Sequence, residues 1–313
     1  MRKIVVVALV LLSLSCANAQ AEDCKLKMVA SYDMLPVDGA VIIPVQMAGK
    51  ARPMGISVQS VFGGVSEALV DEMALERRRI RPDAQVYTAH TRVPQYVVVP
   101  SVDIGSVHQD RVRFAVSDAL GAADGGVIGN DILSVFDIEL DFAARKVRFF
   151  SQEHCKGNVV YWSASHVDIP FQLGCDVVQF TMKLDGHDVA TTFDLGASYS
   201  ALNWRVARGV FGLDETSPHI TQIETKDGRT VPSARFETLS VGGLNIPHPS
   251  LLLFDDDLRS MARYDTPDKM QNQPGYDLLH AAHLVLGLDA LKHLRVYIAY
   301  KERMIYLTAA DAH

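Results

Sequence analysis

Apolar and polar positions alternate with a period of two along most of this chain, and stretches with helical period are short and few. Val41-Ile42-Ile43-Pro44-Val45-Gln46-Met47 runs as a strand into a turn at Ala48-Gly49, and Val178-Gln179-Phe180-Thr181-Met182-Lys183-Leu184 runs the same way into Asp185-Gly186. Val189-Ala190-Thr191-Thr192-Phe193 alternates again and breaks at Asp194, where Gly196 permits a tight turn. Trp204-Arg205-Val206-Ala207 then predicts a short helical turn. Short strands separated by polar turns predict an all-β protein whose sheets close on themselves or stack.

The pattern also repeats. Val127-Ile128-Gly129-Asn130-Asp131-Ile132-Leu133 matches Val285-Leu286-Gly287-Leu288-Asp289-Ala290-Leu291 at a constant difference of 158 in residue number. The same difference carries Ile138, Leu140 and Phe142 onto Val296, Ile298 and Tyr300, and Val147 and Phe149 onto Ile305 and Leu307. Each copy predicts an apolar strand into a glycine, a short helix near the Asp, and two strands joined by a turn. Upstream the match is looser, with residues 102–107 set against residues 241–246. The chain therefore divides into two similar, mostly β lobes, residues 20–156 and 157–313. Residues 255–283 have no counterpart of that length in the first lobe. Such an insertion is a lid, a partner surface or a tolerated loop.

Asp194-Leu195-Gly196-Ala197 at the end of a strand has a plain explanation as a turn whose carboxylate satisfies backbone N–H groups. Together with the repeat it also resembles the Asp-Thr/Ser-Gly-Ala active-site turn of the retropepsin-like and pepsin-like aspartic peptidases. Val127-Ile128-Gly129 and Val285-Leu286-Gly287 resemble the aliphatic-aliphatic-Gly segment that packs behind that turn, and Asp124-Gly125-Gly126 resembles its lead-in. The resemblance implies an acid-protease fold, two β-barrel-like lobes with an interlobe cleft, no cofactor or metal, and an extended peptide as partner. It makes Asp194 the catalytic candidate, and makes the hairpin tip at Lys226, Asp227, Gly228 and Arg229 the candidate flap.

That chemistry needs two carboxylates sharing a proton and activating a water between them. The first lobe offers no Asp after Gly49 at the required place. Counting from Gly49 against Gly186 sets Ser57 opposite Asp194, whereas matching Ala68-Leu69 to Ala201-Leu202 sets Val61 there and gives the first lobe four extra residues. The second alignment also sets Glu67 against Ser200. Neither supplies a second acid. Leu195 also replaces the family's hydroxyl residue, which ties the two turns together. Two classes stay open: a peptide-binding descendant of a peptidase, and an endopeptidase that uses Asp194. His280 and His283, three apart on a predicted helix over residues 276–283, read as surface histidines and not as a metal pair. Asp255-Asp256-Asp257 reads as an acidic helix start.

Composition narrows the setting. With 48% hydrophobic and 21% charged residues and a formal net charge of -7, the chain is an ordinary globular one with no basic surface for nucleic acid. The run Arg77-Arg78-Arg79-Ile80-Arg81 lies beside Glu72 and Glu76 and reads as a solvated face. Residues 1–19 have the basic start, the short apolar run and the Ala17-Asn18-Ala19 ending of a secretory signal peptide. Lipidation at Cys16 is disfavoured by Ser13, which stands where that signal wants an aliphatic residue. Export to the periplasm or outside the cell suits a disulfide, assigned here to Cys24 and Cys155 with Cys175 free. Intact mass and N-terminal analysis of the exported protein should therefore find Gln20 first, one disulfide and one thiol. A lipid on Cys16, or Cys175 in the bridge, is the contrary result.

Overall fold

The computed structural model describes residues 25–37, 39–81, 87–88, 91–118, 125–174, 177–225, 228–255 and 283–310. Among them helix is confined to Glu67–Glu72, Asn130–Leu133, Trp204–Phe211 and Leu288–Leu291, and strands carry the architecture. After its first strand or strands, each lobe forms a hairpin. Ile42–Met47 turns into Lys50–Ile56 through Ala48 and Gly49, both at positive φ (49° and 78°). Val177–Leu184 turns into His187–Phe193 through Asp185 and Gly186 at 44° and 81°. Two left-handed residues in succession match the twist of paired strands, which is why both turns hold a glycine.

In the first lobe the hairpin closes into a ring of six strands. Its order is Ile42–Met47, Lys50–Ile56, Gly126–Ile128, Gly64–Val65, Val107–Val116 and Gln95–Ile104, and the last returns to the first through Gln46 opposite Asp103 and Met47 opposite Val102. Alternation turns Val45, Met47, Met54, Val97, Val99 and Phe114 inward, all fully buried. The second lobe uses the same partners. There the two long strands are interrupted, one into Thr230–Arg235 and Thr238–Val241, the other into Leu244–Pro247 and Ser250–Phe254.

The pairings show how the copies align. Gly64 and Val65 pair with Val127 and Gly126 as Ala201 and Leu202 pair with Val285 and Leu284, and lie beside Ala115 and Val116 as Ala201 and Leu202 lie beside Leu252 and Leu253. The difference is therefore 137 from Gly49 and Gly186 through Val116 and Leu253, and 158 from Gly126 and Leu284 onward. Even the irregular positions agree: Gly105 and Gly242 share φ near 57° and 55°, and Arg111 and His248 share 55° and 49°. Two expectations are corrected by this. Ile104 corresponds to Val241, so the loose upstream match is out by two residues. The first lobe has no extra residues in its turn, because Ala68 and Leu69 belong to helix Glu67–Glu72, the counterpart of the start of Trp204–Phe211.

The lobes meet in a six-stranded sheet to which each contributes three strands, in the order Met28–Asp33, Lys146–Phe150, Asp137–Asp141, Leu294–Ala299, Met304–Ala309, Val167–Pro170. Its centre is the antiparallel pairing of Ile138 with Ile298 and Leu140 with Val296, so each residue pairs with the counterpart of the other. On this sheet Glu139 is fully buried and accepts from Arg148 and from Arg295 Nε (2.9 Å), while Arg295 lies 4.3 Å over the Trp162 ring. Removing one member would strand a buried charge, so the network ties the lobes by geometry more than by net energy. Cys155 is disulfide-bonded. Its bonded partner lies outside the described residues, as do the signal segment and the other three cysteines.

Glycines test this reading. A Cβ on Gly287 would lie 2.4 Å from the Tyr199 carbonyl carbon, whereas one on Gly186 meets nothing within 4 Å. Gly287→Ala should cost about 3 kcal/mol through forced backbone displacement, and Gly186→Ala about 1 kcal/mol through its left-handed φ alone. Denaturant midpoints of the two variants check the order.

Candidate functional site

Strand His187–Phe193 lies parallel to Leu284–Leu286, and the pairing carries one step past its end, where Asp194 N donates to Leu286 O at 2.9 Å. The chain then turns. Asp194 Oδ1 accepts Gly196 N at 2.9 Å, which is the turn-forming role that an Asp-x-Gly sequence has by itself. Gly196 is not at positive φ, and a Cβ there would meet only Asp194 Oδ1 at 3.4 Å, so left-handed freedom is not what places glycine at this position. Behind the turn, Leu288 N and Asp289 N donate to Ala197 O and Ser198 O, and Asp289 Oδ1 accepts Ser200 N (2.8 Å) and Ser200 Oγ (2.6 Å). The aliphatic-Gly segment thus backs the turn.

The first lobe repeats this wiring residue for residue. Ser57 N donates to Ile128 O at 3.0 Å, Asn130 N to Ser60 O at 2.8 Å and Asp131 N to Val61 O at 3.0 Å, while Asp131 Oδ1 accepts Gly63 N at 2.9 Å. Ser57 is therefore the counterpart of Asp194, and Val61 that of Ser198. Glu67, expected opposite Ser200, corresponds to Trp204 instead. No acid stands at the first-lobe position. Ser57 Oγ instead donates to Ser60 Oγ at 2.8 Å, and both residues are half-buried, as is Asp194.

The residues that follow these two positions hold the lobes together. Val41 N donates to Leu195 O at 2.7 Å, and Val178 N donates to Val58 O at 3.2 Å. Val41 corresponds to Val178 and Val58 to Leu195, so this is one contact made twice, reciprocally. The Leu195 and Val58 side chains are 1% and 0% exposed. Leu195 brings no hydroxyl, as its identity implies, and its carbonyl ties the turn to the other lobe. Val58 O also accepts Asn130 Nδ2 at 2.7 Å, and Asn130 Oδ1 accepts Tyr300 O–H at 2.7 Å. Gly39, at φ 82°, passes so near Ser198 that a Cβ would lie 2.5 Å from its hydroxyl. The Ser198 hydroxyl would have to turn away, and the left-handed φ favours glycine in any case.

The hairpin expected over residues 225–230 is present in its stems: Ile220–Glu224 pairs with Thr230–Arg235, Ile223 opposite Val231, and Thr225 N donates to Arg229 O. Lys226 and Asp227 lie outside the described residues; Gly228 turns the tip at φ 78°. Its first-lobe counterpart, not legible in the sequence, is the short hairpin of Tyr87–Thr88 and Thr91–Arg92. Of the helix expected over 276–283 only His283 is described, and it leads into strand Leu284–Leu286. Asp255 is not helical, and Asp256 and Asp257 lie outside the described residues.

Burial pushes the Asp131 carboxyl up to about 6, against the lowering effect of the Gly63 N–H it accepts. A carboxyl raised on folding favours the protonated folded state. The stability it lends is complete below its unfolded value near 3.8 and is lost as pH rises through about 6. The outer surface of the residue is open to water, so the loss is a fraction of that for full burial. Asp131→Asn keeps an acceptor for Gly63 N–H and should flatten stability across that window. Denaturation at pH values of about 4 and 7 compares the slopes.

No protein-family model matches this chain, and no curated protein matches it. Among solved structures it is similar to an aspartic proteinase from Irpex lacteus, at 8% identity over 92% of this chain and 98% of that one, with a TM-score of 0.49. It is similar also to Basic 7S globulin from soybean, at 10% identity over 92% and 96% of the two chains, with a TM-score of 0.48.

Proposed function

We propose that this chain is an exported, two-lobed relative of the aspartic peptidases that binds extended peptide segments between its lobes and has lost hydrolysis. The observation that carries this reading is that Ser57 holds the first-lobe position corresponding to Asp194. Sharing a proton between two acids, one serving as base and the other as acid, requires a carboxylate on each side. A serine that donates to Ser60 cannot take either part. The wiring behind both turns is intact, so the surroundings that the turns need are kept while the reacting group is gone.

A peptide laid between the lobes would gain affinity chiefly from main-chain hydrogen bonds, with side chains read in the adjoining pockets, as in strand addition. The hairpin of Ile220–Glu224 and Thr230–Arg235, with its tip at Gly228 and Arg229, and the shorter one at Tyr87–Thr88 and Thr91–Arg92 are the candidates to cover it.

A mixed peptide library incubated across about pH 3 to 8 should remain uncleaved by the native protein. A subset should bind, and Asp194→Asn should change the rate of cleavage not at all. Cleavage by the native protein that is abolished in Asp194→Asn would establish the endopeptidase reading in its place. Ser57→Asp restores the missing carboxylate, and weak acidic cleavage acquired by that variant alone would show that this position is what the native chain lacks.

A further inference from the structure

Three buried side-chain nitrogens in the described residues have no hydrogen-bond partner, and two of them belong to neighbours: Asn203 Nδ2 and His283 Nε2. Strand Ala201–Asn203 runs antiparallel to Leu284–Leu286, with Leu202 opposite Leu284, and one step further Asn203 N donates to His283 O at 2.8 Å. Asn203 is 2% exposed. Its Oδ1 accepts Arg205 N at 2.8 Å as the N-cap of helix Trp204–Phe211, which leaves the amide N–H groups without an acceptor. A buried donor without a partner costs about 1–3 kcal/mol, so it is not a neutral choice.

Burial, and after it the positive charge of Arg205, lower the His283 pKa and so favour the neutral imidazole, whose Nε2 can carry the ring proton. Arg205 is exposed, and the acid that follows the neighbouring strand, Asp255, is ion-paired with Arg208 at 3.7 Å. The eight-residue helix presents its positive end here. Amide, imidazole and guanidinium all donate.

The sister lobe shows that the fold does not need them. At the corresponding positions stand Ser66, Gly125 and Ala68, and Ser66 Oγ caps its helix by accepting Leu69 N at 3.1 Å. The cap is common to both lobes; the three donors are particular to the second. They stand where the second lobe's longer connection, after Asp255, returns at His283.

We propose that Asn203, His283 and Arg205 form a binding site for a carboxylate, at the end of strand Ala201–Asn203 away from the Asp194 turn. One carboxylate oxygen accepts from Asn203 Nδ2 and the other from His283 Nε2, and Arg205 balances the charge. This site is independent of peptide binding between the lobes. The test is NMR of the full chain, following the His283 ring and the Asn203 side-chain amide during titration with sodium acetate, with inorganic phosphate and sodium chloride as parallel arms.

Acetate should shift both signals saturably and raise the His283 pKa, because an adjacent anion favours the imidazolium. The double variant Asn203→Ser/His283→Gly carries the sister lobe's residues, and it should lose the response. Arg205→Ala, at an exposed helix position, should fold normally and weaken acetate binding about tenfold. A response equal to that of chloride, one retained in Arg205→Ala, or one to phosphate but not acetate would overturn the assignment.

Discussion

The structure depends on a pair of backbone hydrogen bonds, Val41 N to Leu195 O and Val178 N to Val58 O, made once in each direction between the lobes. Each is worth only about 1 kcal/mol net. Their importance is positional. Residues 58 and 195 are the first after the two central positions, so fixing their carbonyls fixes where Ser57 and Asp194 stand. Both side chains are apolar and buried, so each turn is anchored from within its own lobe by packing and from the other lobe by the main chain. A side-chain hydroxyl at this place is dispensable once the backbone makes the tie, and Leu195 is tolerated for that reason.

Behind the turns the same economy holds. Gly129 and Gly287 let their segments lie against the backbone of Phe62 and Tyr199, and Asp131 and Asp289 accept the N–H groups of Gly63 and Ser200. These roles are structural and need the residue present in both lobes. Asp194 and Ser57 differ because nothing in the folding of either turn demands a particular acid beyond the local bond to Gly196 N. A position free of structural demand is where a reacting group can be lost without loss of the fold, which supports the binding reading proposed above.

Duplication also marks what is new. Wherever the lobes agree, as in the turns at Gly49 and Gly186 or the bends at Arg111 and His248, the shared feature belongs to the fold. Where they differ without a structural need, as at Asn203, Arg205 and His283 against Ser66, Ala68 and Gly125, the difference asks for a function.

The sequence alone determined the all-β class, the paired lobes and the hairpin stems around residues 223 and 231, because strand periodicity and turn glycines are local signals that tertiary context rarely overrules. It also identified the segment 127–133 with 285–291, where every apolar position is retained. It did not settle the partner of Asp194. The counts from Gly49 and from Ala68-Leu69 disagreed, since a helix with Ala and Leu in its first turn mimics the strand pair Ala201 and Leu202 in composition but not in place. Only the sheet register decided for Ser57, through Gly64 and Val65 pairing as Ala201 and Leu202 do. The reciprocal tie of Val41 and Val178 and the unpartnered donors of Asn203 and His283 were likewise beyond the sequence. A main-chain hydrogen bond leaves no residue signature, and a missing partner is a property of three-dimensional surroundings.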